Sequence, residues 1–225
     1  MKQNTAERFL ILIQHPEKSR SLVSDQVKNV GLIGAILLDL SLEGTINIEA
    51  GKLILKSTET KLSLVHKKVL KQFEKSTKTR KIKTWISRLL KYSTRYQKEI
   101  LLALERKGYV KIEQRKFLFF NYYKTRLTNT TVREQIINEV RDVIFYAKQI
   151  DHDKSMIIGL INACKMYKVI GRDRRELKIC KTKLREMIIQ ANLIFQGVDK
   201  VIKEMDAAIL AAVVASTVAA TSTSN

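Results

Sequence analysis

Between Lys28 and Gly44 the sequence KNVGLIGAILLDLSLEG carries apolar residues on nearly every side of the helix it would form. A helix without a polar face belongs inside a core, so the stretch predicts a buried central helix. At about fifteen residues it is too short to cross the roughly 30 Å of bilayer hydrocarbon, and Asp39 and Glu43 interrupt it. Gly31 and Gly34 lie three apart, share a face, and predict that another backbone approaches closely there.

The other elements follow from the same kind of reading. Phe9 to Ile13 is a short apolar run that reads as a strand, with a loop from Pro16 to Ser21 leaving it. Ile46 and Ile48 answer Leu53 and Leu55 across Ala50 and Gly51, the alternation of a β-hairpin. A phosphate loop is excluded over Gly44 to Lys52, because its glycines are too far apart and Leu53 stands where Ser or Thr is needed. Leu62, Val65, Val69, Leu70 and Phe73 fall at helical spacing, as do Ile82, Trp85, Ile86 and Leu89, with lysines opposite each set. Tyr96, Ile100, Leu101 and Leu104 mark a third amphipathic helix, which Gly108 ends. A second hairpin follows, with its turn expected near Gln114 to Lys116 and an aromatic second arm. Thr131 and Glu134 have capping-box spacing ahead of the stripe Val132, Ile136, Val140, Val143 and Ile144. One apolar helix is expected from Met156 to Ile170, closed by Gly171, and another along Leu177, Cys180, Leu184, Met187 and Ile194. Ala207 to Ala220, rich in small residues, predicts a last helix that packs tightly. The lone proline, Pro16, leaves the helices unbroken. The expected architecture is mainly α, a single domain over residues 1–225: a buried central helix in a helical bundle ringed by amphipathic helices, with small β-hairpins.

Charge narrows the partners. Forty-two Lys and Arg against 22 Asp and Glu give a formal charge of +20, which predicts a polyanionic partner, either a nucleic acid or an acidic membrane surface. From Lys61 to Arg126 twenty basic residues face four glutamates, a net +16, so the working face is expected there. Cys164 and Cys180 sit inside helical patterns and predict free thiols in a reducing cytoplasm. The N-terminal stretch lacks the design of a signal peptide. His15, His66 and His152 have no metal-ligand spacing, and His152 between Asp151 and Asp153 marks a helix start. No metal, cofactor or catalytic residue is expected, and the chain does not read as an enzyme.

Three blocks in order resemble the Golgi phosphoprotein 3 family, whose members occur in eukaryotes and bacteria, and the chain looks like a bacterial-type member. They are GLIGAILLDLSLEGTINIE from Gly31, ILLALERKGYVKIEQRKFLFF from Ile100, and RLTNTTVREQI from Arg126. The resemblance implies a helical core ringed by amphipathic helices, a protruding hairpin, and a peripheral membrane protein that recognises phosphatidylinositol 4-phosphate. In eukaryotic members a tryptophan and three arginines form the headgroup pocket, and the matching positions here hold Ser24, Ile33, Thr94 and Gln97. The expectation is therefore acidic phospholipid binding with little headgroup selectivity, through Lys28, Arg95 and Lys98. The family's adaptor role adds the tails of membrane proteins as partners.

Physical chemistry supports the membrane reading from another side. Each Lys or Arg near an anionic bilayer contributes roughly 1 kcal/mol. Phe117, Phe119, Phe120 and Tyr122, flanked by cations, are expected to form a membrane-inserting hairpin on a protein peripheral to the cytoplasmic face of a membrane. The same aromatics would serve equally as a homo-oligomer contact or as core cover. The alternative function is nucleic-acid binding, with three short helices from Leu62 to Lys107 and the basic hairpin drawn as a winged helix-turn-helix.

Overall fold

The structure is a computed structural model that describes residues 3–56, 62–117, 120–190 and 207–213. The chain opens with a helix, α1 (Thr5–Ile13), where a strand was expected. Asn4 caps it, accepting the Glu7 N–H at 2.9 Å while the Glu7 carboxylate reaches back to the Asn4 N–H. All nine of its residues are buried, so the apolar run shows no helical period and mimics a strand. A short loop follows, closed by a single antiparallel bridge between Gln14 and Ser21.

The central helix is α2 (Asp25–Leu42), capped by Ser24 and buried without a break from Val30 to Leu40. Its neighbours are α1, the helices Ile82–Leu90, Ser93–Arg106 and His152–Ala163, and the strand Ile46–Glu49. It ends in a Schellman turn: the Thr45 N–H donates to Leu40 and the Gly44 N–H to Ser41, both at 3.0 Å. The close approach at its two glycines is made by side chains rather than by a backbone. A Cβ on Gly31 would stand 2.4 Å from Phe9 Cζ, and one on Gly34 would stand 2.2 Å from Ile209 Cδ1. Ile209 belongs to the helical stretch 207–213, in which Ile209, Ala212 and Val213 are buried.

Asp39, which breaks the apolar pattern of α2, is 4 % exposed and caps another helix. Its carboxylate accepts the Thr5 N–H at 2.7 Å and the Ala6 N–H at 3.1 Å, the free donors at the start of α1.

The first hairpin, β1 (Ile46–Glu49) and β2 (Lys52–Leu55), pairs Ile46 with Leu55 and Ile48 with Leu53. A two-residue strand missed in the sequence, β3 (Arg80–Lys81), adds to its edge. Three amphipathic helices fall where the stripes put them: α3 (Leu64–Glu74), α4 (Ile82–Leu90) and α5 (Ser93–Arg106). Gly108 closes α5 in the same Schellman turn, with the Tyr109 N–H on Leu104 at 3.0 Å.

The second hairpin is longer than expected. Its arms, β4 (Val110–Phe117) and β5 (Phe120–Leu127), pair through to Phe117 opposite Phe120, so Gln114 lies within the ladder opposite Tyr123. Nothing at 114–116 demands a turn, since no Gly, Asn or Pro stands there. The hairpin leaves the body from buried Val110 and Leu127 to exposed Gln114 and Tyr123.

The C-terminal half is helical, with α6 (Thr131–Tyr146), α7 (His152–Ala163), α8 (Tyr167–Ile170) and α9 (Arg174–Gln190). The cap of α6 is Thr130 rather than Thr131, and the Asn129 side chain accepts the Thr131 N–H at 2.8 Å in place of a capping box. The single helix expected from Met156 to Ile170 is two, because Lys165 turns left-handed at φ 52° after Cys164. The Met166 N–H then closes on Ile161 at 2.8 Å. Arg141, buried on α6, ties the half together by a two-pronged bond to Glu176, both contacts at 2.7 Å, and by a third bond to the Ile170 carbonyl at 2.8 Å. The end of the expected Leu177 to Ile194 helix and the second half of the expected Ala207 to Ala220 helix lie outside the described residues.

Candidate functional site

The loop after α1 is shaped by two polar side chains. His15 Nδ1 accepts the N–H groups of Glu17 and Lys18 at 3.0 Å each, which turns the chain back. Gln14 donates from Nε2 to the Arg20 carbonyl at 3.1 Å and to the Thr125 carbonyl at 2.5 Å, binding the loop to the base of the hairpin. Between this loop, the first turn of α2, one face of α5 and β5 lies a cavity of about 210 Å³. Arg20, Lys28, Gln97, Tyr123 and Lys124 line it. Asp25 lies there too, and its carboxylate holds Lys28 Nζ at 2.6 Å. Lys98 stands beside the cavity, with Nζ 4.7 Å from the Tyr123 ring centroid and 3.5 Å from its hydroxyl.

Of the three expected headgroup residues, the fold thus brings Lys28 and Lys98 to one neighbourhood through Tyr123. Arg95 points elsewhere: its Nε lies 3.5 Å from Glu99 Oε1, and that carboxylate also binds Lys68. Of the positions that match the family's headgroup pocket, Gln97 lines the cavity, Ser24 caps α2, Thr94 is exposed, and Ile33 is wholly buried. Arg20 and Gln14 carried no signal in the sequence beyond their charge and polarity, because only the folded loop sets them against β5.

The expected inserting residues distribute along the far end of the hairpin. Phe117 and Phe120 form its last register pair, and Tyr122 stands opposite Arg115. Phe119 lies outside the described residues.

Buried polar chemistry elsewhere is accounted for by structure. Ser63 Oγ lies 2.6 Å from His66 Nδ1, and His66 Nε2 lies 3.2 Å from Asp39 Oδ2. All three side chains hold the fold together, for Ser63 caps α3, Asp39 caps α1, and the imidazole joins the two helix starts. Burial pushes the Cys180 thiol up, the opposite of what a nucleophile needs. Glu176 is held down at about 2 by the hydrogen bonds from Arg141 and from the Arg172 N–H. Among the described residues no group of three or more His, Cys, Asp or Glu is placed to hold a metal ion. Among those residues, too, no helix is long and apolar enough to cross a membrane.

These features define a class of protein: a mainly helical body around one buried helix, bearing a long two-stranded arm with a basic cavity at its foot. The particular family follows from the sequence match, since the family model of Golgi phosphoprotein 3 (GPP34) covers residues 6–205, and the chain belongs to that family.

Proposed function

We propose that the protein is a peripheral membrane protein that binds acidic phospholipid headgroups in the cavity at the foot of the β4–β5 hairpin. One observation carries the reading: Arg20, Lys28 and Lys124, from three separate parts of the chain, line one cavity beside Lys98. A phosphate or phosphoinositide headgroup would displace Asp25 from Lys28 and accept from the surrounding cations, while Tyr123 covers one side. The hairpin then extends toward the bilayer, and the aromatic residues at its end would enter the interface. A net charge of +20 adds long-range attraction to any anionic surface. Family membership supports a lipid partner, and the polar and apolar residues at the family's pocket positions argue for recognition of charge rather than of one headgroup.

Co-sedimentation with liposomes tests this. Binding is expected to follow the net charge of the lipid. Vesicles with phosphatidylinositol 4-phosphate should bind about as well as charge-matched phosphatidylglycerol vesicles. Much tighter binding of the phosphoinositide would contradict charge-led recognition, and no binding to either would overturn the membrane reading.

A further inference from the structure

A second cavity, of about 190 Å³, opens where the end of α3, β3 and α4 meet, and it shares no lining residue with the cavity at the hairpin foot. Lys75, Ser76, Arg80, Trp85, Arg88 and Lys91 line it. Four of these six are cations, and among the described residues none of the four has a carboxylate within ion-pair distance. Their contacts are with neutral groups. Arg80 Nε donates to Ser76 Oγ at 3.3 Å, the Arg88 guanidinium lies 5.6 Å from the Trp85 ring centroid, and Lys91 Nζ lies 5.2 Å from that of Tyr92.

Trp85 supplies an independent sign of a missing ligand. It is 4 % exposed, fixed edge-on against Phe73 at 4.6 Å between centroids, and its indole Nε1 is buried with no acceptor. A buried donor without a partner loses its hydration for nothing in return, and such groups are rare. Converging like charges also repel each other. An anion with several oxygen acceptors relieves both at once.

We propose that this cavity binds a phosphomonoester. Its oxygens accept from Arg80 and Arg88, with Trp85 Nε1 as the buried donor and Lys75 and Lys91 as flanking charges. The fork geometry of two arginines favours a tetrahedral, doubly charged group over a single halide. The ligand is either a soluble phosphate compound or a lipid whose whole headgroup is a phosphomonoester, as in phosphatidic acid, and the chemistry is the same.

Trp85 is the chain's one tryptophan, so its emission reports on this cavity alone. Inorganic phosphate and pyrophosphate are titrated into the full-length protein at fixed ionic strength, with sodium chloride as the control, followed by vesicles of phosphatidic acid against charge-matched phosphatidylglycerol. A saturable change in emission is expected with phosphate or with phosphatidic acid, its midpoint at least tenfold weaker in Arg80→Gln/Arg88→Gln. Because Arg88 lies against the indole, the midpoint is the readout and not the amplitude. Should that variant fail to fold by circular dichroism, Lys75→Gln/Lys91→Gln at the rim is expected to weaken the midpoint severalfold. A response to soluble phosphate assigns a soluble ligand, and a response to phosphatidic acid vesicles alone assigns a lipid. No saturable change, an equal response to chloride, or an unmoved midpoint in a folded variant overturns the proposal. Lys28→Gln/Lys124→Gln at the other cavity is expected to leave the midpoint for soluble phosphate, and the ratio between phosphatidic acid and charge-matched phosphatidylglycerol vesicles, unchanged, so the two readings fail separately.

Discussion

Replacing Asp39 by Ala removes an acceptor that three groups share in the core: the Thr5 N–H at 2.7 Å, the Ala6 N–H at 3.1 Å and His66 Nε2 at 3.2 Å. Hydrogen bonds to a charged group contribute about 1.5–3 kcal/mol each, and buried donors left without a partner add to the loss. Water entering the space left by the carboxylate recovers part of it. The net cost is about 3–5 kcal/mol, against a total stability of about 5–15 for a typical domain. For a chain of this size that lowers Tm by roughly 10 °C, and the variant should still fold at 25 °C. Asp39→Asn keeps one oxygen acceptor but no charge and should lose about half as much. His66→Ala, which removes one of the three bonds together with the Ser63 contact and empties the space of a buried ring, should cost about 2–4 kcal/mol. Urea unfolding followed by circular dichroism, with the slope checked for constancy, gives the differences directly. A midpoint for Asp39→Ala within about 0.5 kcal/mol of the parent, the range of an ordinary surface substitution, would refute the account of Asp39 as the cap that joins α1, α2 and α3.

Other substitutions test other parts. Leu37, fully buried in α2, should not tolerate Asp, because an unpaired buried charge costs several kcal/mol; a cooperative melt near the parent temperature would mean α2 is not central. Glu176 titrates at about 2 when folded, below its unfolded value, so the stability it contributes is full above the ordinary carboxylate range and is lost as pH falls from there toward about 2. Thermal melts from pH 7 to pH 3 should therefore fall less steeply in Glu176→Gln than in the parent, and parallel curves would contradict the Arg141 pairing. Phe117→Ser with Phe120→Ser should weaken acidic vesicle binding by up to a few kcal/mol in co-sedimentation while leaving duplex DNA binding unchanged; unchanged vesicle binding would remove the hairpin from the interface.

How much was legible depended on whether a residue acts locally. The central helix announced itself because α2 is apolar on every side, and the stripes of α3, α4 and α5 place Val69, Trp85 and Leu104 in the core as their spacing requires. In α1 the period vanished, since Phe9 and Ile11 are as buried as Leu10 and Leu12, and only the cap pair Asn4 and Glu7 marks a helix start there. Lys165 in a left-handed turn is a place where glycine is usual, so the break between α7 and α8 left no mark in the sequence. The site shows the same division. Lys28 and Lys98 stand out as charges near a family position, whereas their meeting at Tyr123, and the exclusion of Arg95 by Glu99, come only from the packing of α5 against the hairpin. The cation cluster around Trp85 lay within the basic span, but an indole without an acceptor is a tertiary fact.

Affinity for an acidic bilayer at the hairpin foot is tested most directly by titrating the parent and Lys28→Gln/Lys124→Gln in parallel with acidic liposomes and with duplex DNA. Physiological salt, where the Debye length is about 8 Å, suppresses general attraction and leaves the contribution of the cavity. At roughly 1 kcal/mol for each charge removed, the variant should lose about 2 kcal/mol, more than tenfold in apparent Kd for liposomes, and little for DNA. Tight, sequence-dependent DNA binding by both proteins, with no liposome binding by either, would contradict the account and leave the basic face to nucleic acid.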